Sequence, residues 1–291
     1  MTYNFIIKNN NIDLNIVILD KEQTITSQSS VLIHIHGLGG HFQSTFDCMD
    51  SFVNRAKTFD NYISYGLELR GHGLSSGTRF GIYDFNDYIS DVHHLVQYIK
   101  LSNPEHIYLL GESMGGAIAC KYSIMFPNIL TGIILLSPMC GLVDNLLKPW
   151  YTIATLKIFS YIIPFYQIYS INNLKNTEYY EKYIESLISC KYRNHGYIRL
   201  DTIRECYNAM LWLQENSNLL TVPILAIHSI NDTVTSCTIT ENFINNCSSS
   251  DKMFILFTNG KHNLLCPIIE NDKSPYTIIE IIKGWLIRFN I

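Results

Sequence analysis

Apolar residues fall into two patterns along the chain. Near the start, Phe5-Ile6-Ile7 and Leu14-Asn15-Ile16-Val17-Ile18 flank Asn9-Asn10-Asn11, which predicts an opening β-hairpin. After that, short apolar runs at 31–36, 62–67, 107–110, 133–136, 223–227 and 253–257 are separated by longer amphipathic stretches such as 83–101 and 114–126. A strand covered on both faces has no polar side to show, so these runs predict buried parallel strands alternating with helices, an α/β fold.

The alternation stops between about 140 and 220, where Leu-, Ile- and Tyr-rich segments carry helical spacing and no clear strand. We therefore expect one core built from residues 1–139 and 221–291, with a helical cap inserted at 140–220. Segment 150–171 is apolar enough to resemble a membrane span. Lys157, Pro164 and Gln167 interrupt it short of the roughly 20 residues a spanning helix needs. A cap helix with an exposed apolar face is the expectation.

Composition narrows the function classes. The chain has 291 residues, 47% of them hydrophobic and 16% charged, with a net charge of -4, which describes a globular protein without a basic footprint for nucleic acid. The first 19 residues are broken by Asn9 to Asn11 and Asp13 and do not read as a signal peptide, so a cytoplasmic location is expected. Eight cysteines, at 48, 120, 140, 190, 206, 237, 247 and 266, show neither paired nor zinc spacing and are expected to be reduced.

Gly111-Glu112-Ser113-Met114-Gly115 lies directly between the apolar run 107–110 and Gly116-Ala117-Ile118-Ala119. A sharp strand-to-helix turn needs small flanking residues and lifts the serine hydroxyl clear of the sheet at a helix N-terminus. Ser113 is thus the candidate nucleophile. It requires a base to take its proton and an acid to orient that base. Asp232 follows the run 223–227 and His262 follows 253–257, in the order Ser, Asp, His. Either residue alone is as readily a turn or loop residue; the order and the positions at strand ends favour catalysis.

An acyl-transfer intermediate carries an oxyanion, for which the N–H groups of Met114 and of Leu38, in His36-Gly37-Leu38-Gly39-Gly40, are the candidate donors. His34, His36 and nearby His41 also admit a metal-binding alternative, weakened by the lack of an acidic ligand at suitable spacing. Arg70-Gly71-His72-Gly73-Leu74-Ser75 reads as a structural glycine loop at the edge of the sheet.

These motifs, with Leu136-Ser137-Pro138 before the insertion, resemble the monoacylglycerol lipase and lysophospholipase group of α/β-hydrolases over nearly the whole length. The resemblance implies the α/β-hydrolase fold and cleavage of a monoacyl lipid ester through an acyl-serine. It also implies an acyl tunnel beneath the cap and no cofactor or metal. Lysophospholipase or small-ester activity remains an alternative, and a catalytically silent ligand-binding role a remote one. The chain departs from the group at Gly40, where an acidic residue implicated in glycerol binding is usual, and at Glu112, where histidine is common. Glu112 is therefore a candidate modulator of the site. The apolar cap is expected to dock peripherally on membrane, and oligomeric state is left open.

Overall fold

The computed structural model describes residues 2–19, 24–43, 51–144, 150–170, 179–193 and 196–289. The first half contains β1 (Tyr3–Asn9), β2 (Ile12–Ile18), β3 (Ser30–Ile35), α1 (Phe52–Thr58), β4 (Ile63–Leu67), α2 (Asn86–Lys100), β5 (His106–Glu112), α3 (Met114–Met125) and β6 (Gly132–Leu136). Between β6 and the next core strand come α4 (Trp150–Ile162), β7 (Gln167–Ser170), α5 (Glu181–Ser189), β8 (Tyr197–Arg199) and α6 (Leu200–Glu215). The chain closes with β9 (Ile224–Ser229), α7 (Cys237–Asn246), β10 (Lys252–Phe257) and α8 (Ser274–Ile287).

Eight strands form one sheet in the order β1-β2-β4-β3-β5-β6-β9-β10. The β1–β2 hairpin and the β2–β4 pair are antiparallel, and every pairing from β4 to β10 is parallel. The chain leaves β3 toward β4 on one side and returns to β5 on the other. Loops leaving the carboxyl ends of β3 and β5 therefore diverge and open a crevice between them, where ligands of open α/β sheets bind.

The unbroken apolar runs have a direct cause. Along β5, Ile107 and Leu109 face the core under α2, α3 and α6, while Tyr108 and Leu110 face the core under α8. Both faces are covered, so no strand position in the middle of the sheet needs a polar side chain. The expectation fails partly at β10, an edge strand on which Met253 and Leu256 are exposed.

One expectation about the insertion needs correction. It is not wholly helical, because β7 and β8 pair antiparallel as a separate two-stranded sheet, Gln167 opposite Arg199 and Ser170 opposite Tyr197. The strands are short and far apart in sequence, so no local period announces them. Arg199 pins this sheet in place: its guanidinium lies 5.2 Å from the Tyr83 ring and 4.7 Å from the Phe165 ring and pairs with buried Asp201. Helix α6 then joins the main core through Cys206, Ala209, Met210 and Leu213.

Candidate active site

Ser113 sits between β5 and α3 with φ 51° and ψ −115°, a conformation rarely adopted by residues other than glycine. The flanking glycines make this turn sterically feasible. A Cβ on Gly115 would fall 2.2 Å from the carbonyl oxygen of Ile35, and one on Gly111 would fall 2.3 Å from that of Gly115.

The tertiary fold brings the three sequence-predicted residues into one hydrogen-bonded line. Ser113 Oγ is 3.0 Å from His262 Nε2, and His262 Nδ1 is 2.8 Å from Asp232 Oδ2. Asp232 follows β9 and His262 follows β10. A carboxylate can only accept, so Nδ1 carries the proton and Nε2 is left to accept from the serine hydroxyl. Such an arrangement can activate a hydroxyl for attack on an acyl carbon.

Asp232 is held by more donors than its sequence context announces. Oδ1 accepts from the N–H groups of Val234 (2.7 Å) and Thr235 (3.0 Å). Oδ2 accepts, besides His262, from the Thr235 hydroxyl (2.8 Å) and from His228 Nε2 (3.1 Å). Burial alone would push this carboxyl up. The hydrogen bonds from His228, His262 and the Val234 backbone outweigh it and hold the group well below the usual carboxylate range. His228 and Thr235 were not singled out from sequence. The available signal was a histidine on the strand four residues before the acid.

Met114 follows the nucleophile directly in the chain. Met114 opens α3, where backbone N–H groups lack partners within the helix. Gly37, just before Leu38, lies against the serine, since a Cβ there would be 3.1 Å from Ser113 Cβ.

The three histidines weighed as metal ligands point to separate partners. His34 Nε2 meets the Ser64 hydroxyl (3.3 Å), His36 bonds the Gly37 carbonyl (2.8 Å) and accepts from Leu69 N–H (3.2 Å), and His41 meets Cys190 Sγ (3.2 Å). Burial holds His34 and His36 well below the ordinary histidine value, so both are neutral, and the charge of Arg55 adds to this in each. Among the described residues no group of three or more His, Cys, Asp or Glu side chains is placed to hold a metal ion.

Below this loop, buried Glu68 accepts from Phe42 N–H (2.9 Å), Leu74 N–H (2.7 Å) and Asn15 Nδ2 (2.9 Å). It thereby ties the loop after β3 to the Arg70–Ser75 turn and to the hairpin.

Glu112 does not stand as an isolated charge beside the histidine. Its carboxylate pairs with the guanidinium of Arg55 from α1, whose side chain is 2% exposed against 15% for Glu112. Seven of the eight cysteines are described; Cys48 lies outside the described residues. Cys206 is buried in the main core and Cys237 opens α7, whereas half-buried Cys190 contacts the loop after β3 through His41.

The insertion reaches the histidine loop directly. Asn263 N–H donates to the Tyr179 hydroxyl (2.8 Å), and Tyr183, Ile184 and Leu187 of α5 pack on Cys266. On its outer side, Ile158, Phe159, Tyr161, Ile162, Phe165 and Tyr166 are each between 45% and 67% exposed. Leu146 and Leu147, just before α4, lie outside the described residues, as does the side chain of Trp150. No helix among the described residues is long and apolar enough to cross a membrane.

The parallel sheet, the strained serine turn between β5 and α3, and acid and histidine at the ends of β9 and β10 define an α/β-hydrolase. Residues 26–267 match the Hydrolase_4 family, described as serine aminopeptidase, S33, and the chain belongs to that family. It is similar to the monoglyceride lipase of Saccharomyces cerevisiae, 26% identical over 268 residues that cover 87% of this chain and 82% of the relative. It is also similar to the caffeoylshikimate esterase of Arabidopsis thaliana, 24% identical over 235 residues covering 77% and 69%. The crystal structure of a soluble variant of the Saccharomyces cerevisiae monoglyceride lipase, in complex with a substrate analog, superposes with a TM-score of 0.80 at 21% identity, covering 99% of this chain and 95% of that one.

Proposed function

We propose that the protein is a serine hydrolase that cleaves the ester bond of monoacylglycerols through an acyl-serine. The observation that carries this reading is the continuous line Ser113 Oγ, His262 and Asp232 at 3.0 and 2.8 Å. Ser113 Oγ attacks the ester carbonyl carbon as His262 Nε2 takes its proton, and Asp232 stabilises the imidazolium that forms. The N–H groups of Leu38 and Met114 hold the oxyanion. His262 returns the proton to the departing glycerol oxygen, leaving acyl-Ser113. Water then attacks the acyl carbon, gives its proton to His262, and the fatty acid leaves as the serine is reprotonated.

Residues 140–220 serve as the cap over the acyl chain, and the exposed apolar side chains of α4 and the turn after it dock it on lipid. A contiguous apolar patch of this kind marks a binding surface, and Tyr at its rim suits a membrane interface. Similarity to the two lipid- and ester-cleaving relatives supports the substrate class.

A lysophospholipid or a small ester is the second reading, favoured by Gly40. A Cβ there would lie 3.1 Å from the Gly37 carbonyl oxygen and from His36, so the position is tight for any side chain and offers no carboxylate to a glycerol hydroxyl. A panel of monoacylglycerols, lysophospholipids and short esters on the purified protein separates the readings. Ser113→Ala and His262→Ala should each lower turnover at least about a thousandfold, with the double variant hardly worse, because the residues act as a unit. Near-normal hydrolysis by Ser113→Ala would overturn the mechanism.

A further inference from the structure

His228 has no part in the mechanism so far, yet its bonding is unusually well defined. The side chain is fully buried at the end of β9. Its Nε2 faces Asp232 Oδ2 at 3.1 Å and the Thr235 carbonyl oxygen at 3.2 Å, both of which can only accept. Nε2 therefore carries a proton. Nδ1 lies 3.0 Å from the Thr240 hydroxyl.

Oδ2 is also the oxygen that holds His262. Three donors share it: His262 Nδ1–H and the Thr235 hydroxyl at 2.8 Å, and His228 Nε2–H at 3.1 Å. An oxygen whose charge is already drawn by other donors attracts an imidazolium less strongly than a bare one. The positive end of the His228 N–H dipole also points toward the pair. Both effects have the same sign.

We propose that His228 is a positioning residue that acts through Asp232, sharing Oδ2 with His262 and so limiting how strongly the carboxylate stabilises the His262 imidazolium. This rests on the catalytic roles proposed above for Asp232 and His262. The consequence is a base that remains neutral, and competent to take the serine proton, at lower pH than the pair Asp232–His262 alone would allow.

Other charged or titratable groups sit on elements that meet at His262, among them Cys266 of the same loop, whose Sγ contacts the Tyr183 hydroxyl of α5 at 2.8 Å. Glu112 precedes the serine turn and is paired with Arg55, Tyr179 comes from the insertion and bonds the backbone of Asn263, and Lys261 lies in the same loop.

Three substitutions separate positioning from packing. His228→Phe keeps a ring and removes both nitrogens. His228→Asn keeps a polar group but is too short to reach Asp232, and it is the second variant should the ring isostere not fold. His228→Gln places an amide N–H near the original Nε2. The titration midpoint of the His262 ring is read by NMR in the Ser113→Ala background, assigned by the signal lost in His262→Gln, with folding checked by thermal unfolding. In the Phe and Asn variants we expect the midpoint to rise by roughly half a unit to one unit, and in Gln to stay near the parent. In proteins retaining Ser113, the acidic limb of kcat/KM should move the same way, a loss of roughly threefold to tenfold on that limb. Unchanged midpoints in folded Phe and Asn variants would overturn the proposal. Because the titration needs no turnover, it is independent of the assay that tests Ser113; hydrolysis surviving Ser113→Ala would overturn the nucleophile assignment alone.

Discussion

His36 donates through Nδ1–H to the carbonyl oxygen of Gly37 at 2.8 Å, and this bond sets the plane of the peptide joining Gly37 to Leu38. In a trans peptide the C=O and N–H point to opposite sides, so anchoring the carbonyl aims the Leu38 N–H. Gly40 N–H bonds the same carbonyl at 3.0 Å, and Leu69 N–H anchors the far side of the ring at 3.2 Å.

Loss of this anchor should therefore be felt in the transition state rather than in substrate binding. His36→Phe is expected to lower kcat roughly tenfold to a hundredfold with KM within about twofold, less than deletion of an oxyanion donor outright. Steady-state kinetics normalised to fluorophosphonate-titrated sites checks this. A raised KM with unchanged kcat would contradict it.

The pairing of Glu112 with Arg55 changes what a substitution there should do. With the carboxylate neutralised by a guanidinium 2% exposed, Glu112→Gln should leave the pH–rate profile in place. It should instead cost about 2 kcal/mol of stability, since the buried Arg55 charge loses an anionic partner. Urea denaturation beside the pH–rate profile distinguishes these effects; a shifted acidic limb with unchanged stability would mean that the carboxylate acts on the histidine.

Buried His72 makes stability depend on pH. Its Nδ1–H donates to the Arg70 carbonyl (3.0 Å), its Nε2 is buried with no partner among the described residues, and burial lowers it to about 4. An unfolded histidine titrates near 6.5, so between these values the folded chain binds fewer protons than the unfolded one. The contribution is fully present above about pH 6.5 and is lost as pH falls toward 4, about 3 kcal/mol in all. His34 and His36, also lowered, act in the same direction. The carboxyls of Glu68 and Asp91, raised by burial, act oppositely, adding stability as pH falls. The difference between wild type and His72→Phe isolates the one residue: stability of the variant should fall less steeply from pH 6.5 to 4. Parallel curves would refute it.

The apolar surface of α4 and the following turn can be tested where it is most exposed. Ile158 and Ile162 are 60% and 67% exposed, so replacing both with Ser should hardly alter stability. We expect the double variant to bind liposomes more weakly and to lose more activity on long-chain monoacylglycerol than on a soluble short-chain ester. Equal losses on both substrates with unchanged liposome binding would indicate that the patch serves packing or self-association instead.

Much of this protein was legible in the linear pattern. The strands, the serine turn and the order Ser113, Asp232, His262 are local features: a strand buried on both faces must be continuously apolar, and a strained turn must be flanked by glycine, whatever the rest of the chain does. Those constraints act over about ten residues, which is why they can be read without a structure. Tertiary structure decided what depends on residues distant in sequence. The sequence showed a carboxylate at Glu112, but only folding brings Arg55 from 57 positions away to neutralise it. The sequence placed β9 before Asp232, but only the packed end of that strand turns His228 onto the same oxygen that holds His262. The short strands β7 and β8 likewise exist through their mutual pairing, and the exposure of Ile162 and Phe165 follows from which face of the insertion meets the core. Hydrogen-bond partnership and burial are properties of pairs and surfaces, and a single chain acquires them when it closes on itself.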